Sequence, residues 1–145
     1  MDVNRPIFIA SKVKSQSELK QVMAVRHDVF VKEQGIDEQE EYDGLDDSST
    51  QFVVKTAGMV IGTARVRFIA ANCAKIERMA ILKPYRKQGV GTMLLLFVLS
   101  QIETPQIILH AQWSAIPFYK NCGFQKSNGP FLEAGIKHIK MIKTR

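Results

Sequence analysis

A glycine-containing segment at residues 86–92, Arg-Lys-Gln-Gly-Val-Gly-Thr, constrains the fold more than any other part of the chain. It joins an apolar, β-branched strand pattern at 76–82 to an uncharged helical pattern at 90–102. Two glycines let a backbone approach an anion closely, and a helix N-terminus presents unpaired N–H groups and the positive end of its dipole. Arg86 and Lys87 add positive charge. The segment therefore predicts a phosphate-binding turn between a strand and a helix.

The spacing of the glycines disfavours two common nucleotide-binding motifs. A P-loop ends in Gly-Lys-Ser/Thr, whereas Gly91 is followed by Thr-Met. A dinucleotide fingerprint needs a third small residue where Leu94 stands, and an acidic residue about twenty positions later, where the chain has His110. The pattern that remains is Arg-x-x-Gly-x-Gly.

That pattern resembles the pyrophosphate-binding motif of the GNAT superfamily of acetyl-CoA-dependent N-acetyltransferases, and the similarity covers nearly the whole chain. Residues 77–85, Glu-Arg-Met-Ala-Ile-Leu-Lys-Pro-Tyr, resemble its central strand and the Pro-containing exit. Residues 109–112 and 115–124 resemble its second strand–helix unit, which ends in Tyr-x-x-x-Gly-Phe. Segments 25–35 and 131–136 are similar to a bacterial subfamily of small members whose substrate is unknown.

We expect an α/β (α+β) fold, a mixed and mostly antiparallel sheet flanked by helices. A capping box at 15–18 predicts a helix that runs to about Lys32. Periodicity and turn signals predict strands at 7–13, 51–56, 60–69, 74–82, 106–110, 124–126 and 136–143, with further helices at 90–102 and 115–121. Strand 106–110 follows a helical crossover from 74–82, so these two strands should run parallel. The resemblance implies that this pair splays apart and forms a slot for pantetheine.

The composition limits the chain to few classes of protein. At 145 residues and 46% apolar, it suits one domain, residues 1–145, that buries roughly two-thirds of its unfolded surface. The longest apolar run, 93–99, is far shorter than the ~20 residues that span a bilayer, and no signal-peptide pattern is present, so we expect a cytoplasmic protein without membrane segments. Cys73 and Cys122 lack metal-ligand spacing, so we expect free thiols and no metal cofactor.

The net charge of +6 does not by itself indicate nucleic acid, because Lys and Arg are spread along the chain without a basic helix or an aromatic ladder. We therefore expect no nucleic-acid partner. The same charge would help to attract a cofactor that carries several phosphates.

The resemblance also implies which residues bind acetyl-CoA. Main-chain groups of the central strand would pair with the pantetheine arm, and the glycine segment would hold the pyrophosphate. Gln112 stands where many relatives carry an Asn that contacts the cofactor. The predicted cofactor-binding residues are Met79, Ala80, Ile81, Arg86, Lys87, Gln88, Gly89, Val90, Gly91, Thr92 and Gln112.

Two side chains are predicted to be catalytic. Tyr119 matches the position whose hydroxyl, in many members of the superfamily, donates a proton to the leaving thiolate; alternatively it is a helix tyrosine with its ring in the core. Glu77 shares strand parity with Met79, so its carboxylate could face the slot and accept the proton of the amine. The other interpretation of Glu77 is a cross-strand ion pair with Arg65 or Arg67.

Three further residues are candidates for the acceptor side. His110 ends the strand beside the slot and has an intrinsic pKa suited to proton transfer, although a structural histidine is the alternative. The resemblance places Glu133 and His138 in the C-terminal segment that borders the acceptor site.

A competing resemblance involves residues 26–35, with 41–43 and Arg65, which are similar to acyl-homoserine-lactone synthases. Those enzymes share the fold but use a carrier protein and S-adenosylmethionine, and the intact glycine segment argues against that function. Arg26 is a candidate substrate contact, or else it fastens the acidic stretch 37–47 over the first helix. That stretch either attracts a cationic amine or is a solvated loop.

We therefore expect an enzyme that transfers acetyl from acetyl-CoA to the primary amine of a small molecule or peptide, by direct attack in a ternary complex. The alternative from a different class is a non-catalytic sensor that binds coenzyme A or an acyl thioester.

Overall fold

The computed structural model describes residues 5–144 and contains a seven-stranded sheet with the strand order β1-β2-β3-β4-β5-β7-β6. Every neighbouring pair is antiparallel except β4 and β5, which are parallel. The predicted mixed, mostly antiparallel sheet is therefore confirmed. The strands are β1 Ile9–Lys12, β2 Thr50–Thr56, β3 Met59–Ala70, β4 Cys73–Ile81, β5 Gln106–Gln112, β6 Gln125–Glu133 and β7 Ile136–Thr144.

The first helical region is α1, Gln16–Arg26, which continues into a π-helical segment, His27–Glu33. The cap predicted at its start is present, because Ser15 Oγ accepts a hydrogen bond from the Glu18 N–H. The acidic stretch that follows contains one short helix, α2, Glu38–Glu41. The remaining helices are α3, Val90–Ser100, and α4, Ile116–Asn121, with 3₁₀ turns at Lys83–Tyr85 and Trp113–Ala115.

The sheet has an apolar core on each face. On one face, α3 contributes Leu94 and Leu95 to a cluster that includes Leu109 and Ala111 of β5. On the other face, α1 contributes Val22 to a smaller cluster. Within residues 5–144, no helix is long and apolar enough to cross a membrane. Cys73 and Cys122 are free thiols, as predicted.

The parallel pair β4–β5 separates along its length. Pairing runs only from Cys73↔Gln106 to Ile76↔Leu109, although β4 continues to Ile81 and β5 to Gln112. The two strands therefore diverge beyond Ile76 and Leu109, and the predicted splaying of the pair is confirmed.

Three strand predictions were wrong in extent. Strand β1 was predicted at 7–13 but covers only Ile9–Lys12. Strand β5 continues two residues past His110, because it stays paired with β7 up to Gln112↔His138. Strand β6 was predicted near 124–126, but it runs from Gln125 to Glu133 and includes the Gly129-Pro130 sequence. It is an edge strand with a register shift between Ser127 and Phe131, and an edge tolerates a proline that cannot donate to a neighbour.

Candidate functional site

The glycine turn, residues 86–92, leads into α3, whose N-terminus borders a cavity. Gly89 is the N-cap residue with φ of 80°, and no side chain of residues 5–144 caps the helix. A Cβ built on Gly89 meets no atom within 4 Å, whereas a Cβ on Gly91 lies 3.4 Å from the Phe118 ring. The first N–H groups of α3 therefore face open space that an anion can occupy, and the second glycine lets α3 pack closely against α4.

The Arg86 side chain fastens the glycine turn to the rest of the protein. Its Nε donates to the Ile81 carbonyl oxygen at 2.8 Å, and its two terminal nitrogens donate to the Glu33 carboxylate at 2.6 and 2.7 Å. The hydrogen bonds from Arg86 lower the pKa of Glu33, and Glu33 in turn raises the pKa of Arg86. Arg86 thus has most of its charge satisfied by Glu33, and its contacts support a bracing role. Gln88 donates to the Pro84 carbonyl oxygen within the turn.

A cavity of about 950 Å³ fills the space between the splayed strands, and we call it the slot. It extends from the glycine turn, past β4, to the ends of β5 and β7. Every predicted site residue except Arg26 and Gln88 lines it, so the structure brings Met79, Tyr119, His110, Glu133 and His138 to one cavity.

Tyr119 reaches the slot from α4. Its ring packs edge-on against Phe118 and Phe124, with centroids 5.0 and 6.0 Å away, and its hydroxyl lies 3.8 Å from Met79 Sδ. Burial raises the pKa of Tyr119 to about 12. The hydroxyl is therefore protonated at neutral pH and can donate a hydrogen bond into the slot.

Glu77 lines the slot, but the strand parity with Met79 that was predicted for it was wrong. The register between β3 and β4 shifts between Thr63↔Ala80 and Arg65↔Glu77, and Arg78 has φ of 54°, which marks a bulge. A bulge reverses the alternation of side chains, so Glu77 does not lie on the face of Met79 as strand parity suggested.

Glu77 is instead held by two arginines of β3. Arg65 donates to one carboxylate oxygen at 2.9 Å, and Arg67 Nε donates to the other. Burial alone would raise the pKa of Glu77, but the hydrogen bonds from Arg67 and Arg65 outweigh it and the pKa is lowered. Such a carboxylate is a weak base, so its contacts favour the ion-pair interpretation.

Glu77 belongs to a larger set of ion pairs that we call the arginine–carboxylate network. Its arginines come from α1, β3 and β4, and two of them, Arg26 and Arg65, are fully buried. Their carboxylate partners lie mainly in the acidic stretch after α1. Four arginines face four carboxylates, so the network has no net charge. The network consists of Arg26, Arg65, Arg67 and Arg78 with Glu41, Asp43, Asp46 and Glu77.

Arg26 shows what this network does. Its Nε and a terminal nitrogen donate to the Glu41 carboxylate at 3.0 and 3.1 Å, and its other nitrogen donates to Asp46 at 2.5 Å. It is fully buried and outside the slot, so the predicted substrate contact is not available to it. The acidic stretch is fastened to the fold, as the alternative interpretation held, and these carboxylates do not form a solvated loop.

We predict that the network makes stability sensitive to acid. Hydrogen bonds from Arg65 lower the pKa of Asp43, and Arg26 lowers that of Asp46 despite the opposing effect of burial. The unfolded chain has the ordinary value of about 4, so these pairs stabilise the folded state above that pH and progressively less below it. In urea unfolding, the free-energy difference between wild type and Asp43→Asn should shrink as the pH falls below about 4. A difference that stays constant or grows would contradict this.

A second polar cluster lies at the other end of the slot, on β5, β6 and β7. His110 Nδ1 lies 3.0 Å from Glu133 Oε1, and His138 Nε2 lies 3.7 Å from Glu133 Oε2. His138 Nδ1 donates to the Ile136 carbonyl oxygen at 2.7 Å. The hydrogen bond with His110 is the main cause that lowers the pKa of Glu133. Each of these residues was predicted separately as an acceptor-side candidate. Their contacts with one another depend on the length of β6, which was not predicted.

Gln112 makes a contact that sequence reasoning missed. Its Nε2 donates to Gln34 Oε1 at 2.8 Å, and Gln34 follows the π-helical segment. Both side chains line the slot. Gln34 carries no local signal that distinguishes it from a surface glutamine.

The mixed sheet with one splayed parallel pair, and the uncapped helix N-terminus at its open end, agree with the family that the comparisons find. The family model of the acetyltransferase (GNAT) domain matches residues 12–145. The uncharacterized N-acetyltransferase YjcF of Bacillus subtilis is 37% identical over 138 residues, which cover 90% of this chain and 95% of YjcF. The chain therefore belongs to the GNAT acetyltransferase family, and acyl transfer is the activity of that family.

Solved structures agree on the fold. A crystal structure of a protein from Lactobacillus plantarum superposes with a TM-score of 0.84 and 29% identity over 97% of this chain and 99% of that chain. A GNAT family acetyltransferase from Elizabethkingia anophelis, solved with acetyl-CoA bound, has a TM-score of 0.73 and 14% identity over 95% of this chain and 98% of that chain. At that identity the second comparison supports the fold alone.

Proposed function

We propose that this protein is an N-acetyltransferase that transfers the acetyl group of acetyl-CoA to a primary amine by direct attack in a ternary complex. The observation that carries the proposal is the uncapped N-terminus of α3 at Gly89, open to the same slot that the splayed strands form. A helix N-terminus of this kind binds phosphate, and the slot leads from it to the ionisable side chains.

The edge of β4 supplies a place for the pantetheine arm. Beyond Ile76, β4 has no β5 partner within the described chain, so the main-chain groups of 77–81 that face β5 are unpaired by any strand. An extended ligand with amide groups can pair with such an edge as an added strand does. Met79, Ala80 and Ile81 are the residues we assign to it, with the first N–H groups of α3 binding the pyrophosphate.

When bound, the donor would supply a thioester carbonyl to the slot. The protein's own groups must then stabilise negative charge on the carbonyl oxygen and provide a proton to the departing sulfur. An N–H on the open edge of β4 can serve the first need. The Tyr119 hydroxyl, held beside Met79 and protonated at neutral pH, is placed for the second.

A Tyr119→Phe variant should therefore lose about a hundredfold in turnover, because removal of a general acid typically costs that much, while coenzyme A affinity stays within a factor of about two. Free thiol release from acetyl-CoA measures the turnover, and calorimetry measures the affinity. Tyr42→Phe is the matched control, since Tyr42 lies outside the slot. Equal turnover in the two variants would remove Tyr119 as the acid.

The test of the function itself is an amine panel on the wild-type protein. Spermidine, kanamycin and an Nα-blocked lysine amide are each combined with acetyl-CoA, and thiol release is followed. We expect at least one to be acetylated, with the product seen by mass spectrometry. Calorimetry on the same protein should detect coenzyme A binding.

The sensor alternative gains some support from Glu77, whose two carboxylate oxygens are already bonded to arginines. A sensor would be stabilised by coenzyme A, by about 2.7 kcal/mol at a hundredfold excess over its dissociation constant, but would release no thiol with any amine. The acyl-homoserine-lactone function is disfavoured by the intact turn at Gly89 and Gly91.

A further inference from the structure

We propose that His110, positioned by Glu133, accepts the proton from the attacking amine. The inference rests on the proposed acyl transfer and adds the proton acceptor that the reaction needs. Four observations support it: the place of His110 in the slot, the sheet face it occupies, the state of its two nitrogens, and the state of the competing carboxylate.

His110 lies at the closed end of the slot. Ile76↔Leu109 is the last paired position between β4 and β5, so His110 is the first β5 residue where the strands diverge. The glycine turn lies at the opposite, open end of β4. Suppose that the glycine turn holds the pyrophosphate of the donor and that the pantetheine arm runs along β4 from Ile81 toward Ile76. The acyl group then points toward the closed end of the slot, and so toward His110.

His110 and Tyr119 approach the slot from opposite faces of the sheet. Leu109 and Ala111 belong to the core beneath α3, and side chains alternate along a strand, so His110 lies on the other face. Tyr119 and Met79 pack against the α3 side. An amine can therefore approach the carbonyl from the His110 face while the sulfur leaves on the Tyr119 face, which separates the proton acceptor from the proton donor.

The bond to Glu133 fixes which nitrogen of His110 is basic. An ionised carboxylate only accepts hydrogen bonds, so the contact of 3.0 Å requires the proton on Nδ1. Nε2 then carries the lone pair. A carboxylate in this position also stabilises the imidazolium that forms when Nε2 is protonated. The edge-on ring of Phe131, 4.9 Å away, restrains the imidazole.

The other charged groups near His110 are less suited to this task. Glu77 is bonded through both oxygens to Arg65 and Arg67. His138 is buried, and its Nδ1 is used by Ile136. Register places Lys75 of β4 and Lys140 of β7 on the same face as His110, and both are cations that oppose protonation of the imidazole.

The proton balance is complete without another reactant. The amine lone pair forms the C–N bond to the thioester carbon, the carbonyl π pair moves to oxygen, and one N–H proton passes to His110 Nε2. As the carbonyl re-forms, the C–S bond breaks with its electron pair on sulfur, which takes the Tyr119 proton. The imidazolium returns its proton through solvent to the phenolate. One amine and one thioester give one amide and one thiol.

The experiment compares His110→Gln and Glu133→Gln with wild type, using the fastest amine of the panel and acetyl-CoA. The control is His27→Gln, because His27 also contacts a carboxylate, Glu38 at 3.0 Å, but lies outside the slot. The value of kcat/KM is measured from about pH 5.5 to pH 10, within which a histidine titrates. Coenzyme A affinity is measured by calorimetry, and the His110 ring is titrated by NMR in wild type and Glu133→Gln.

We expect His110→Gln to lower kcat/KM by about a hundredfold or more and to leave coenzyme A affinity unchanged. The fall of kcat/KM toward acid pH, which protonation of an imidazole produces, should be absent from this variant. Loss of the Glu133 charge disfavours the imidazolium, so in Glu133→Gln the fall of kcat/KM toward acid should move to lower pH. His27→Gln should match wild type.

Two results would overturn the role of His110 without affecting the proposed acyl transfer. One is a turnover of His110→Gln within threefold of wild type. The other is a loss of turnover in His27→Gln as large as that in His110→Gln. An unmoved His110 titration in Glu133→Gln would overturn the positioning role, even if His110→Gln failed to fold. A wild-type protein that acetylates no amine would instead refute the acyl transfer, and this inference with it, before any variant is made.

Discussion

A Gly89→Glu variant should lose coenzyme A binding by about a hundredfold or more, equivalent to roughly 3 kcal/mol. A Cβ at this position meets nothing within 4 Å, so the side chain can enter the space in front of α3. A carboxylate there would itself be attracted to the helix N-terminus and would repel a phosphate. Calorimetric titration with coenzyme A is the measurement.

Backbone strain must be separated from this effect, because Gly89 has φ of 80° and any other residue is strained there. Gly58→Glu provides the control: Gly58 has φ of 77° and equally open surroundings, but it lies in the β2–β3 turn outside the slot. It should cost similar stability and leave coenzyme A affinity unchanged. If Gly89→Glu bound coenzyme A as well as Gly58→Glu, the glycine turn would not be the phosphate site.

An Arg26→Met variant should lose about 3–5 kcal/mol of unfolding free energy, which is the usual cost of leaving a buried charge without its partner. Arg26 is fully buried, and Glu41, its main partner, is 2% exposed. Methionine fills much of the space of the arginine stem but cannot satisfy the Glu41 carboxylate. Urea unfolding at neutral pH is the measurement.

Lys32→Ala is the matched control, since Lys32 forms an exposed ion pair with Asp28 at 3.6 Å on the π-helical segment. Exposed pairs of this kind contribute about 0–1 kcal/mol, so Lys32→Ala should scarcely change stability. If both variants had the same small effect, Arg26 would not hold the acidic stretch in place.

The glycine turn and the parallel pairing of β4 and β5 were predictable because their causes are local. Glycine spacing at Gly89 and Gly91 and the onset of an apolar helix specify the turn, and a helical crossover specifies a parallel pair. The resemblance then led to Tyr119 and Met79, which the structure places 3.8 Å apart.

The orientation of Glu77 was not predictable, because it depends on a bulge that has no local signature. Arg78 adopts a positive φ although it is not glycine, and its side chain pairs with Glu41 and Asp43, far away in sequence. The contacts that accompany this conformation are therefore long-range, and no local sequence pattern indicates them. His110 and Glu133 were each predicted as acceptor-side candidates, but their contact was not, because a Gly-Pro sequence conceals the length of β6 unless its position at the sheet edge is known.

The brace formed by Arg86 has a thermodynamic consequence. One guanidinium joins the glycine turn to Ile81 of β4 and to Glu33 of the π-helical segment, so it links three elements that line or border the slot. A ligand that enters a preorganised site loses less conformational entropy on binding, so more of its contact energy remains as affinity. The Arg86 brace would contribute to affinity in this way without touching the ligand.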